Sequence, residues 1–326
     1  MVAYLLRRLG QSLLAVVAMA VLVFLGVYAI GNPVDILINP EATEQQRLEI
    51  MARMGLDRPL WEQFWVYFRN LLQGDFGRSF VYGESAMSVI LQRLPATMEL
   101  ALFALVLAIV LGVPLGVIAG LRPDTVTGRG IMAGSILGFS LPNFWQGLML
   151  ILIFAVFLGW LPAGGRGETT EFLGLRVSFL NLDGLSHMIL PAINLALFKM
   201  ALVIRLARAG TREVMTQDYI KFARAKGLSH RRVVLVHVLK NIMIPVVTIL
   251  GLELGSMIAF AVVTESVFAW PGMGKLLIDS INRLDRPVIV AYLMLIVFLF
   301  VLINFLVDLL YSALDPRVRL AQRGAQ

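Results

Sequence analysis

Apolar and polar positions are grouped along this chain in long blocks rather than alternating residue by residue. Six apolar blocks lie near residues 9–30, 95–120, 131–160, 186–207, 243–265 and 288–312. A helix that crosses a bilayer needs about 20 mostly apolar residues, whereas a strand of a membrane barrel shows about ten residues of alternating polarity. The blocks therefore predict an all-α fold, a polytopic membrane helix bundle with six transmembrane helices.

The first and third blocks differ from a simple membrane span. The first follows Arg7 and Arg8, as in a secretory signal peptide, but it is longer than the usual ~7–15 apolar residues and lacks an A-x-A cleavage site near its end. We therefore expect a retained helix. The third block is long for one span, and we expect it either to tilt or to end in an interfacial piece near residues 160–162.

Composition supports lipid as the solvent of the chain. Hydrophobic residues make up 59% of the sequence and charged residues 15%, against roughly 45–50% and 25% in soluble domains. The sequence has no cysteine, which excludes disulfides, zinc–thiolate sites, iron–sulfur clusters and cysteine nucleophiles.

The distribution of charge predicts the orientation in the membrane. With the N-terminus in the cytoplasm, six spans return the C-terminus there, and the short cytoplasmic segments are then rich in Lys and Arg and poor in acids. The net charge of +7 is explained by this topology, so nucleic acid is not expected as a partner.

The spans divide the chain into an ordered series of regions. Within the external region, residues 60–68 predict an amphipathic helix, which lies either at the membrane interface or in a small external subdomain on the helix ends. The regions are an N-terminal transmembrane helix (1–30), an external region (31–94), a five-helix core (95–314) with a cytoplasmic loop (208–242), and a cytoplasmic tail (315–326).

Motifs for covalent chemistry are missing from the sequence. The three histidines have no partner at metal-ligand spacing, and Gly274-Lys275 lacks the upstream glycine and the following Ser or Thr of a phosphate loop. The sequence also contains neither a nucleophile elbow nor a dinucleotide fingerprint. We therefore expect no catalytic, metal or cofactor site in this chain.

Ionisable residues inside the spans carry more information. A charge at the bilayer centre costs at least ~2.5–3.5 kcal/mol on insertion scales, so such a residue usually faces a bundle interior or a water-filled path. Glu253 is nearest the middle of its span and either lines a polar path or makes a hydrogen bond between helices. Glu253 and Glu265 are the candidates for a translocation path. The ionisable residues in or near spans are Glu99, Lys199, Glu253, Glu265 and Asp308, of which Glu99, Glu265 and Asp308 also suit an interfacial position.

Small residues predict close helix packing in two spans. Gly112, Gly116 and Gly120 recur every four residues, and Gly251 and Gly255 repeat that spacing in the fifth span. Small residues four apart let two helix backbones approach closely.

The cytoplasmic loop has a pattern of its own. Residues 218–225 predict a short helix, Gly227 a stop, and the residues that follow a second basic helix, with Pro245 near the entry to the next span. This pattern is typical of a compact helix–turn–helix beside the membrane. From these residues alone, a basic loop that only enforces topology explains the pattern as well.

The loop resembles that of permease subunits of ATP-binding-cassette importers, in the dipeptide, oligopeptide and nickel branch. It contains the run A-R-A-K-G-L at 223–228, then H-x-L-x-N at 237–241 and Pro245. Residues 221–223 (K-F-A) stand where the general importer loop begins E-A-A. Further stretches similar to this branch are residues 4–9, 55–60, 74–79, 264–274 and 314–317.

The resemblance implies a function for the loop and a set of partners for the chain. The loop's short helix would dock into a groove on a cytoplasmic ATPase. The chain would be one of two homologous permease subunits in a bacterial cytoplasmic (inner) membrane. It would work with two ABC ATPase subunits, which bind ATP and Mg, and with an extracytoplasmic substrate-binding protein. The residues implied in ATPase coupling are Asp218, Tyr219, Ala223, Arg224, Ala225, Lys226, Gly227 and Leu228.

The resemblance leaves the substrate open among dipeptides, oligopeptides, nickel chelates, glutathione and opine-like compounds. Two other functions make different demands on the sequence. A secondary transporter driven by an ion gradient predicts paired broken helices in inverted repeats, and no repeat is visible in the sequence. An intramembrane enzyme needs a nucleophile, a metal or an acid–base pair at depth, and Glu253 alone supplies none.

Overall fold

The computed structural model describes residues 2–29, 43–53 and 57–314, and the side chains of 2–9, 12, 27–29, 47, 50, 53 and 308–314 are outside the description. Most of this part is helical, as the apolar blocks predict. The elements are α1 (Val2–Ala29), α2 (Glu44–Arg53), α3 (Leu60–Leu72), α4 (Ala86–Leu121), α5 (Val126–Ser140), α6 (Asn143–Phe157), β1 (Thr170–Phe172), β2 (Leu175–Val177), α7 (Leu182–Met215), α8 (Asp218–Ala225), α9 (His230–Val267), α10 (Met273–Asn282) and α11 (Arg286–Leu314).

Several of these helices are long and apolar enough to cross a membrane. Among the described residues, α4, α7, α9 and the Arg286–Val307 part of α11 meet that condition, and α5 with α6 would make a fifth span if the bent pair is counted as one. Within α1, Leu13–Gly26 is a shorter apolar helix. An all-α polytopic membrane protein is thereby confirmed. Six spans with both termini in the cytoplasm stay a prediction, and the tail 315–326 lies outside the described residues.

Residues 131–160 do not form one continuous tilted helix, which was one of the two alternatives for this block; an interfacial piece near residues 160–162 stays a prediction. The chain bends by 108° between α5 and α6, because Pro142 has no backbone N–H and disfavours the helical conformation of the residue before it. Leu141 is accordingly extended (φ −83°, ψ 139°). The Gln146 side chain donates to the carbonyls of Gly138 and Leu141 at 2.7 and 2.8 Å, so the break leaves these two groups paired inside an apolar environment.

The contacts divide the chain into two compact units. One contains the described parts of Met1–Leu94 and Lys275–Leu302, and the other those of Pro95–Gly274 and Ile303–Gln326. Each unit is built around its own buried residues.

In the first unit, α3 packs on α1 through aromatic side chains. The helix predicted over residues 60–68 is confirmed. The rings of Phe24 and Phe64 meet edge to face with centroids 5.2 Å apart, and Tyr67 lies 5.6 Å from Phe24. Burial raises the pKa of Tyr67 to about 12. Trp61 and Trp65 stay exposed, so α3 combines packing on a neighbouring helix with an aromatic outer face suited to the headgroup level.

In the second unit, α4 lies directly against α7 where the spaced glycines occur. A Cβ atom at Gly116 would be 2.6 Å from both the Ala207 Cβ and the Ile204 carbonyl oxygen. Gly112 and Gly120 meet α7 in the same way. The close packing that the small residues predict is therefore confirmed for this span, with α7 as the partner helix.

A short antiparallel hairpin follows α6 and has no counterpart in the sequence prediction. Thr170 pairs with Val177 and Phe172 with Leu175. Leu173 and Gly174 both have positive φ (51° and 77°), the conformation that a tight hairpin turn requires.

Candidate functional site

The short helix α8 of the cytoplasmic loop is stopped by a well-formed C-terminal cap. Gly227 has φ +78°, and its N–H donates to the Arg224 carbonyl at 2.9 Å. The N–H of Leu228 reaches back to the Ala223 carbonyl at 3.2 Å. These two bonds form a Schellman motif, in which glycine accepts the left-handed conformation without a Cβ penalty. The predicted helix, glycine stop and second helix are thus confirmed.

One face of α8 is fixed to the ends of the long helices. Ile220 and Ala223 are buried in a core cluster with residues of α7 and α9, among them Val214 and Val238. Asn241 on α9 donates through Nδ2 to the Tyr219 hydroxyl at 3.1 Å. Because this helix is packed on both α7 and α9, a force on α8 acts on two span helices together.

The other face of α8 is open. Asp218, Tyr219, Arg224, Ala225, Lys226 and Gly227 are exposed, and Leu228 is half-buried. Ala223, which the family resemblance implied as a contact, is buried against this chain's own core and positions the helix. Phe222 was not singled out from the sequence, yet it is 62% exposed and carries the Lys226 ammonium 4.6 Å from its ring centroid. The spacing of four residues between them was the available signal.

Lys199 and Glu253 form an ion pair between α7 and α9 in the middle of the second unit. The Lys199 ammonium also donates to the Ser256 hydroxyl at 2.9 Å, which lies 2.7 Å from a Glu253 carboxylate oxygen. The Lys199 side chain is 10% exposed and that of Glu253 is 31% exposed. Glu253 therefore makes the interhelical bond that was one of its two expected roles.

The same pair lines a cavity of about 590 Å³ beside the break between α5 and α6. One wall is aromatic, with Phe139 stacked on Phe198 at 4.6 Å between ring centroids. Asn143 and Gln146 from the break add amide groups to the lining. Lys199 and Glu253 are far apart in the sequence and were identified there as two separate ionisable residues, whereas the fold places them in contact.

Glu265, the second candidate for a path, is enclosed. It is 0% exposed and accepts hydrogen bonds from the Thr97 hydroxyl at 2.6 Å and the Gly274 N–H at 2.7 Å. A Cβ atom on Gly272 would collide with its carboxylate. The Trp270 indole donates to a carbonyl on α4 at 2.9 Å. These contacts tie the segment after α9 to the start of the core part of α4.

Glu99 is also buried and paired within the protein. Its carboxylate accepts from Arg166 at 2.7 Å and from the backbone N–H groups of Ser178 and Phe179. The bonds attach the loop around β1 and β2 to α4. The Asp308 side chain lies outside the described side chains.

Metal-ligating groups do not converge in the described part of the chain. Among those residues, no group of three or more His, Asp or Glu side chains is placed to hold a metal ion. His187 lies beside Asp183 at 3.7 Å, and His237 lies near Tyr219 with ring centroids 6.5 Å apart.

Comparison with known proteins covers almost the whole chain. Residues 112–320 match the family model described as binding-protein-dependent transport system inner membrane component. Residues 1–101 match the model for the N-terminal region of the same kind of membrane component.

Individual relatives align from end to end. The chain is 40% identical to the di/tripeptide transport system permease protein of Pseudomonas aeruginosa, 39% to the oligopeptide transport system permease protein of Bacillus subtilis and 38% to the glutathione transport system permease protein of Escherichia coli. Each alignment covers 98% of this chain and 99% of the relative. A solved structure of the MetNI methionine ABC transporter in inward-facing conformations is similar in fold, with a TM-score of 0.54, 18% identity and coverage of 70% of this chain and 97% of that one.

Proposed function

This chain belongs to the family of binding-protein-dependent transport system inner membrane components, and from that premise we propose that it carries short peptides. It is a permease subunit of an ATP-binding-cassette importer and a multi-pass protein of the bacterial inner membrane. The observation that carries the proposal is the identity of 38–40% over 98% of the chain to permeases of three peptide transport systems. Di- and tripeptides, oligopeptides and glutathione share an amide backbone, so the shared substrate chemistry is that of a peptide.

The assembly that we propose contains further chains. A second homologous permease subunit completes the translocation path, two cytoplasmic ABC ATPases bind ATP and Mg, and an external binding protein delivers the peptide. This chain crosses the lipid bilayer six times with both termini in the cytoplasm. The charge distribution along the sequence supports that orientation.

We propose that α8 is the element that docks on the ATPase. Its open face presents Tyr219 and Phe222 for burial, and Arg224 and Lys226 for pairing with acidic groups. Its opposite face is packed on α7 and α9. A rigid-body movement of an ATPase would therefore displace two span helices at once, which is how a packed element converts a domain motion into a change of state.

The path itself is proposed to run past the cavity lined by Glu253. Glu265 does not line the path in this proposal. Its hydrogen bonds to Thr97 and Gly274 fix the position of the segment that follows α9. The ion-gradient transporter is not favoured, because the relatives of this chain belong to binding-protein-dependent systems. The chain does no covalent chemistry in this proposal, and ATP hydrolysis takes place in the partner subunits.

Uptake by the reconstituted system tests this function. The chain is co-expressed with its adjacent permease, ATPase and binding-protein partners, purified through a C-terminal tag and placed in liposomes with ATP inside. Uptake of labelled trialanine is expected to require ATP and the binding protein. Uptake that continues without ATP while a proton or sodium gradient is maintained would contradict the proposal and favour the gradient-driven transporter.

The same purification tests the composition of the complex. A second multi-span subunit and the ATPases are expected to elute with this chain. Elution of the chain alone, with the ATPases expressed but absent from the complex, would contradict the role given to α8.

A further inference from the structure

The cavity beside the broken span has the size and lining of a small-ligand site. Its volume of about 590 Å³ lies within the roughly 300–1,000 Å³ that is common for ligand pockets. Phe139, Phe198 and Phe260 give it an apolar wall, and Lys199 and Glu253 bring two opposite charges to the same space. Apolar walls with a few placed polar groups are the usual composition of such sites.

The ion pair in this cavity differs from the other buried carboxylates of the second unit. Glu99 and Glu265 each accept a hydrogen bond from at least one backbone N–H group. A backbone donor in a packed segment has a fixed direction, so these bonds are not broken by a rotamer change. The bonds described for Glu253 come from the side chains of Lys199 and Ser256, and a side-chain donor can leave its acceptor by a change of rotamer. Its side chain is also 31% exposed, so the pair can exchange partners where the other carboxylates cannot.

We propose that this cavity is a subsite for zwitterionic peptides, in which the Lys199–Glu253 pair opens and each member binds one end of the peptide. Lys199 pairs with the terminal carboxylate and Glu253 with the terminal ammonium. This assignment rests on the proposed function as a peptide permease.

The balance of charges makes the proposed subsite selective for peptides with two free ends. One internal pair is replaced by two ligand pairs, so both charges keep an opposite partner. A peptide with one blocked end leaves either Lys199 or Glu253 without a partner, and losing the partner is unfavourable for a charge that is partly withdrawn from water, most of all for Lys199, whose side chain is 10% exposed. A tripeptide spans at most ~11 Å when it is fully extended and less in other conformations, and the flexible four-carbon stem of lysine lets the separation between the two protein charges adjust to it.

The absence of cysteine from the chain allows a direct accessibility test. Ser256→Cys places a single thiol in the cavity lining, and Ser266→Cys places the control thiol on the same helix at an exposed position outside that lining. The assembled importer, without binding protein, is treated in nanodiscs with a charged methanethiosulfonate reagent. The modification rate of this chain is followed by mass spectrometry.

Trialanine at millimolar concentration is expected to slow modification at position 256 and leave position 266 unchanged. N-acetyl-trialanine and trialanine amide, each with one charged end, are expected to be at least about tenfold less effective, since each leaves one protein charge unpaired. Equal protection by the free and blocked peptides, or no protection in either the nucleotide-free or the ATP-analogue-bound complex, would overturn the proposal.

Charge variants in the Ser256→Cys background identify the residues responsible. Glu253→Gln is expected to remove the preference for a free ammonium, so that N-acetyl-trialanine protects as well as trialanine. Lys199→Gln combined with Glu253→Gln keeps hydrogen-bonding side chains between α7 and α9 and is expected to lose both preferences. Retention of both preferences in the double variant would overturn the assignment even if a single variant fails to assemble.

The test also separates this inference from the proposed function. A complex that imports trialanine with ATP and binding protein, yet protects position 256 without regard to charged ends, refutes the subsite alone. A complex that fails to import any peptide while importing another solute refutes the proposed function and the subsite with it.

Discussion

Gly227 offers the sharpest test of the role of α8, because its effect can be worked out from the backbone. The residue has φ +78°, and no described atom lies within 4 Å of the position that a Cβ would take. Alanine at this position would therefore meet no clash and would bear only the cost of the left-handed conformation. That cost is roughly 1–2 kcal/mol for a residue with a Cβ.

The cost appears in ATPase affinity if docking requires the capped helix. The free loop can relax, whereas the bound loop must restore the cap, so Gly227→Ala is expected to weaken binding by roughly 5–30-fold, the ratio that 1–2 kcal/mol represents. Gly227→Asn is expected to recover most of that loss, because asparagine tolerates the left-handed region. The dissociation constant between the purified permease pair and its ATPase measures both effects.

Gly174 supplies the matched control. It has φ +77°, also has no described atom within 4 Å of a Cβ, and lies in the hairpin turn rather than in the cytoplasmic loop. Gly174→Ala is expected to bear the same strain and leave the ATPase dissociation constant unchanged. Equal weakening by alanine at 174 and 227, or an asparagine at 227 that is worse than alanine, would refute the reasoning from the cap.

Two further changes probe the packing of the second unit, each read as the apparent melting temperature of the purified complex. Gly116→Leu is expected to lower the melting temperature, because α7 leaves no room for a Cβ and overpacking costs about 1–3 kcal/mol. Gly134→Leu is the control and should change the melting temperature little, because no described atom lies within 4 Å of the position that a Cβ at this helical glycine would take. Glu265→Ala is expected to lower the melting temperature, because removal of the carboxylate leaves the buried Gly274 N–H without its acceptor at a cost of about 1–3 kcal/mol. Exposed Glu171→Ala is its control, and equal melting temperatures for the two alanine variants would contradict the anchoring role.

The break between α5 and α6 could be predicted only in part from the residues next to it in the sequence. Pro142 is visible in the sequence and predicts an interruption, yet an internal proline is also present in α4, which continues through Pro114. The difference at 142 includes the Gln146 side chain, which pairs the freed carbonyls of the break. Proline alone therefore does not decide between a helix that continues and one that ends.

The candidate site divides in the same way. The helix, glycine stop and second helix around α8 follow from residues close in sequence, so the pattern predicts them. Which face of α8 is buried depends on α7 and α9, and Ala223 therefore looked like a contact residue until its surroundings were known. Lys199 and Glu253 were each marked as embedded charges, but their pairing required the fold to bring two spans together.

The sequence by itself determined that the chain is an all-α polytopic membrane protein, and it determined the local form of the cytoplasmic loop. The reason is that lipid and the backbone act on each segment separately: an apolar stretch must pair its own N–H and C=O groups, and a glycine can take a positive φ wherever it stands. The tertiary structure decided the bend of the third apolar block, the enclosure of Glu265 and the cavity that Lys199 and Glu253 share. Each of these depends on atoms from segments far apart in the chain, whose distances are set only when the helices pack.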